Sequence, residues 1–139
     1  MLIQKEFMLS LASQGKRMDG RGFEEFRPIH VEKNLIEKAE GSCRVRIGET
    51  DVISGVKMEL GTPFPDAPDK GVLMVAAELS PIAYPEFEMG PPREQAVELA
   101  RVVDRGIREA KAIDLGKLCI TTKEKVWLVS IDLQIINHG

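Results

Sequence analysis

An α+β fold, in which a mixed sheet carries one long helix on its face, is what the sequence predicts. Three observations support it: apolar and polar residues alternate through 41–60, an almost unbroken apolar run fills 72–79, and apolar residues recur every 3.6 positions over 93–113. The order of elements is a helix, several strands, a second helix and further strands.

The elements follow in chain order. Ile3, Phe7 and Leu11 recur at helical spacing with Met8 beside them, and Gly15 supplies a left-handed stop, so residues 1–16 read as a short N-terminal docking helix. Two glycines among charges in 16–22 (KRMDGRG) mark a loop, and after Pro28 the alternation of Ile29 and Val31 opens a first strand. Cys43, Val45 and Ile47 alternate with Ser42, Arg44 and Arg46; Gly48-Glu49-Thr50 interrupts them; and 51–60 resumes the apolar pattern, which is a β-hairpin. Prolines break 61–71 into a loop. The run 72–79, bounded by Gly71 and Pro81, predicts a strand buried on both faces. A second loop, 81–92, holds Tyr84 and Phe87 and stops at Gly90-Pro91-Pro92. The helix over 93–113 places Ala96, Leu99, Ala100, Val103, Ile107 and Ala110 on one face. Glu94, Glu98, Arg101, Arg105 and Arg108 lie on the other. Two strands, 117–122 and 126–136, close the chain around a polar turn at 122–125. With no second helix after them to cover more sheet, the domain of residues 17–139 reads as unfinished.

Composition narrows the function classes. At 139 residues, with 43% hydrophobic and 29% charged side chains, the chain has the makeup of one folded domain. Lys5 and Glu6 interrupt the apolar N-terminal residues, which argues against a secretory signal, and no run reaches the length of a membrane span. Cys43 and Cys119 are far apart and form no metal-binding or redox spacing, as expected of reduced thiols in a cytoplasmic protein. A net charge of −3 gives no global attraction to nucleic acid, so any RNA contact must come from a local basic patch or a partner.

The chain has no phosphate-binding glycine loop, zinc-protease motif or nucleophile elbow. His30 and His138 have no ligand-spaced companions, and no metal or cofactor is implied. Asp66 with Asp69, and Glu86 with Glu88, are paired carboxylates in proline-rich loops, where nothing fixes the geometry that acid–base work requires. Arg101, Arg105 and Arg108, spaced i, i+4, i+7, line one helix face. Their forked donors suit successive phosphates, but the residues by themselves favour a solvated face with Glu98 paired to Arg101 or Arg105. Arg44 and Arg46 form a second strip with the same two readings.

Several segments, in order, resemble the RNase PH family. Arg17-Met18-Asp19-Gly20-Arg21, Glu25-Phe26-Arg27-Pro28-Ile29, Lys38-Ala39-Glu40-Gly41-Ser42, Val45-Arg46-Ile47-Gly48-Glu49-Thr50 and Val52-Ile53-Ser54-Gly55-Val56-Lys57 are similar to the opening of its members. Glu88-Met89-Gly90-Pro91-Pro92 and the run 98–108 (ELARVVDRGIR) resemble the non-catalytic type found in the ring of the archaeal exosome. The resemblance implies a ribosomal-protein-like βαβ fold. It also implies a second, similar half after the last strand, so the chain reads as truncated and as exposing apolar sheet that favours association.

The family attacks the terminal phosphodiester of RNA with inorganic phosphate, using a phosphate-binding loop and an acidic residue in the second half of the catalytic subunit. The non-catalytic type is expected to lend arginines to the shared site. By position within Leu-Ala-Arg-Val-Val-Asp-Arg this role falls to Arg101 and Arg105, then to Arg108. Arg93 departs from the non-catalytic pattern after Pro92 and reads as an additional phosphate contact. The implied partners are RNA, a catalytic RNase PH-like subunit alternating in a six-membered ring, and RNA-binding cap subunits. Of three readings, a non-catalytic RNA-holding subunit, a phosphorolytic 3′–5′ exoribonuclease, and an interaction module whose arginines are only surface charge, the first is preferred and the second is the alternative.

Overall fold

The hairpin is the best-defined part of the sequence and the centre of the sheet. In a computed structural model describing residues 2–139, β1 (Ile29–Lys33), β2 (Gly41–Ile47) and β3 (Thr50–Gly61) form an antiparallel meander. Ile47 pairs with Thr50 across Gly48-Glu49. Gly48 takes φ 59°, the left-handed backbone that a two-residue hairpin turn needs at this position. β6 (Lys125–Asn137) runs antiparallel along β3, from Gly61 opposite Val126 to Asp51 opposite Asn137. β4 (Val72–Leu79) lies parallel on its other side, giving the order β1-β2-β3-β6-β4, while short β5 (Cys119–Thr121) pairs with β6 off this path. The sheet is mixed and the fold α+β, as the sequence predicts.

α2 (Glu94–Glu109) connects β4 towards β6 and packs on β4. Ala96 and Ala100 are buried at the contact, with Leu99, Val103 and Ile107 half-buried beside them. Under the helix, Leu73 of β4 meets Val129 and Ile131 of β6. Val56, Met58, Val75, Leu115 and Leu118 pack around them. The predicted helix ran to 113; the chain leaves it earlier because Lys111 turns to φ 52° and the Ala112 amide bonds back to the Ile107 carbonyl at 3.2 Å. That reversal returns Ile113 and Leu115 to the core. A 3-10 turn, Leu115–Leu118, takes the first residues of the predicted strand 117–122.

The expectation that 72–79 is buried on both faces does not hold. Val72, Leu73 and Ala77 are buried, but Met74, Ala76 and Glu78 are exposed, because β4 is the last strand of the sheet and α2 covers only one of its faces. α1 (Leu2–Ser13) forms, and Gly15 in the turn beyond it takes φ 69°, the left-handed stop expected there. From Ile3 to Ser13 all its side chains are exposed except half-buried Leu11, so among the described residues the helix is not packed on the sheet.

Candidate nucleic-acid interface

The α2 face turned away from the core presents the arginine stripe. Arg101 and Arg105 stand four residues apart, about 6 Å along the axis. Their side chains are 76% and 82% exposed. Each has only a loose partner: Arg101 lies 3.4 Å from Glu98 and Arg105 4.0 Å from Glu109. Exposed pairs at these distances are weak and easily exchanged for another anion. Both guanidinium groups are therefore free to meet a phosphate.

Arg108 is placed differently. Its guanidinium is forked onto the Asp104 carboxylate one turn back and also donates to the Leu73 carbonyl of β4 at 3.0 Å. The side chain thereby fastens the end of α2 to the strand it covers. Next to it, Lys70 and Lys111 share a cavity of about 460 Å³ with Arg108, Ile107 and Asp114. Spacing could not reveal Lys70, which precedes β4; Lys111, three residues after Arg108, lies within the predicted helix but is not singled out by the stripe. Arg93 stands at the other end of the helix, at the N-cap, paired with Glu88 and making no capping bond.

The second candidate strip is neutralised on the opposite face of the sheet. Arg44 forks onto Asp51, with bonds of 3.0 and 2.7 Å, and Arg46 reaches Glu32 at 3.0 Å. The Arg44 bonds hold the Asp51 carboxyl below its ordinary value, against a burial penalty that acts to raise it. Asp66 and Asp69 lie exposed in their loop. His30 is exposed on β1, and His138 rests its ring on Tyr84 and Phe87, with centroids 4.8 and 5.7 Å away. Among the described residues, no group of three or more histidine, cysteine, aspartate or glutamate side chains is placed to hold a metal ion.

The family model described as 3' exoribonuclease family, domain 1 (RNase_PH), matches residues 25–139. The chain belongs to this family. Among similar members, the exosome complex component Rrp42 of Methanocella arvoryzae is 58% identical over 136 residues, 98% of this chain and 52% of that protein. The component of the same name from Archaeoglobus fulgidus is 54% identical over 135 residues, 97% of this chain and 52% of its own. The chain thus spans about half the length of the curated relatives it matches. Two solved structures share the family fold. One, described as the Archaeoglobus fulgidus exosome with RNA bound to the active site, aligns with TM-score 0.89 at 54% identity, over 97% of this chain and 53% of that one. The other, described as an archaeal exosome core, aligns with TM-score 0.80 at 48% identity, over 97% and 50%.

Proposed function

We propose that this chain is the RNA-holding, non-catalytic part of a phosphorolytic 3′–5′ exoribonuclease complex of the exosome type. In this reading it alternates in a ring with a catalytic RNase PH-like subunit, alongside RNA-binding cap subunits. The observation that carries the proposal is the outward, loosely paired placement of Arg101 and Arg105 on one face of α2. Two cations held about 6 Å apart on a rigid helix can bind neighbouring phosphates and stabilise the charge that develops as phosphate attacks the chain end. They do this without a nucleophile or a base, so the partner supplies the reacting groups. Arg108 acts as a positioning residue that keeps the stripe in place on β4, and Arg93, paired to Glu88, is the outlying phosphate contact. α1, with Ile3, Phe7 and Leu9 exposed, docks on a neighbouring subunit in the same reading. That similar chains are described as a component of the exosome complex and as part of an archaeal exosome core supports assembly with other subunits.

The test is phosphate-dependent degradation of a poly(A) oligonucleotide by this chain, by a catalytic partner, and by the two mixed. The proposal expects the mixture to exceed the partner alone and Arg101→Ala to reduce that gain. Degradation by this chain alone assigns it the catalytic role instead, and a mixture no faster than the partner removes the supporting role.

A further inference from the structure

β4 takes all its ladder bonds from β6, in parallel register from Val72 opposite Leu128 to Leu79 opposite Ile135. The one other hydrogen bond made to its main chain by a described residue is the one from Arg108 to the Leu73 carbonyl. From Met74 to Leu79 the other side of the strand therefore has no main-chain partner. Exposed edges are commonly blunted by lysine, proline or a bulge, and β4 (VLMVAAEL) has none of these.

Beside the C-terminal half of this edge lies a cavity of about 300 Å³, with Ala76, Ala77 and Leu79 on the strand side and Phe87 and Met89 from the loop before α2. Four carboxylates line it, those of Glu78, Glu86, Glu88 and Asp132. A single guanidinium, Arg93, stands among them and is already held by Glu88. Glu78 and the Asp132 partner Ala76 are two residues apart on β4, so Glu78 and Asp132 project from the same face of the sheet, while Ala77 and Leu79 project from the other.

We propose that the β4 edge and its acidic groove dock an extended, basic segment of a partner protein. The segment adds one more strand beside β4, setting alternate lysines or arginines against Glu78 and Asp132 and the intervening apolar side chains over Ala77 and Leu79. Charge selects this occupant. A second copy paired edge to edge would bring Glu78 and the acidic loop towards their own images, with no basic residue in β4 to offset them. The same carboxylates repel a polyanion, which separates this surface from the Arg101 and Arg105 face of α2; Arg93, held by Glu88, is the one residue the groove shares with the proposed RNA-holding role.

The test titrates the chain with a capped peptide of about ten residues alternating lysine and valine, following backbone amides by NMR. Its glutamate–valine counterpart and two forms of the lysine peptide, N-methylated on one or the other alternating set of amides, are run beside it. The expected result is that the lysine peptide shifts Met74 to Leu79 and the 86–92 loop and the glutamate peptide does not. One N-methylated form should lose binding while the other keeps it, because only one set of amides faces β4. Glu78→Lys with Glu86→Lys, both at exposed positions, should weaken the lysine peptide about tenfold at low salt while leaving the β2 and β3 shifts unchanged. Absence of binding at about millimolar peptide, equal binding by both N-methylated forms, or shifts confined to other acidic surfaces would overturn the proposal.

Discussion

Arg108 differs from Arg101 and Arg105 in what it holds. Its bonds to Asp104 and to the Leu73 carbonyl join two elements, so Arg108→Ala should lower stability by about 1–3 kcal/mol, read from the urea midpoint. Arg101→Ala and Arg105→Ala, at exposed and loosely paired positions, should change it by no more than about 0.5 kcal/mol. Asp51 gives a pH-dependent counterpart. Its carboxyl is lowered from 3.8 chiefly by the Arg44 hydrogen bonds, so its stabilisation is fully present above that value and is lost as pH falls through the lower folded pKa. Asp51→Asn should therefore flatten the acid limb of the stability–pH curve below about pH 4, measured by urea unfolding at a series of pH values. Alternation in the sequence placed Arg44 and Arg46 on an outward face. It could not show that Asp51 and Glu32 neutralise them, because those contacts depend on cross-strand register. For the same reason the stripe of three arginines was legible as a stripe, while the separate task of Arg108 was not: Leu73 lies 35 residues away.

At the scale of elements, two glycines make opposite predictions. A Cβ at Gly71 would lie 2.6 Å from the Leu118 Cβ and 2.9 Å from the Trp127 carbonyl oxygen, so Gly71→Ala should destabilise by about 1–3 kcal/mol. Gly106, within exposed α2, has open space around it and no left-handed backbone, so Gly106→Ala should stabilise by about 0.4–1 kcal/mol through the unfolded chain and helix propensity. Thermal unfolding of the two variants checks both signs. The hairpin and α2 were readable because their signals are local: a period of two with a Gly-Glu turn, and a period of 3.6. The surroundings of 72–79 were not, since an apolar run is the same in the middle of a sheet as at its border, and strand order is set by long-range pairing with β6.

Across the whole molecule, α2 covers the sheet only near β4. On the same face, Ile29 and Val31 of β1 remain 59% and 53% exposed, and the half-buried Val45 and Val52 continue that surface towards β6. An apolar face of this kind favours association, and Ile29→Lys with Val31→Lys should shift the chain towards monomer in sedimentation at rising concentration. This surface is apolar on an open sheet face and the arginine stripe is exposed on an outer helix, which is what the proposed role as one subunit of a complex requires. The measurement that tests the central claim most directly is the salt dependence of poly(A) oligonucleotide binding by the chain and by its Arg101→Ala, Arg105→Ala variant. The variant should bind more weakly, and its slope of log affinity against log salt should fall by about 1.4, the value for two lost phosphate contacts on a single strand. An unchanged slope and affinity would contradict that claim.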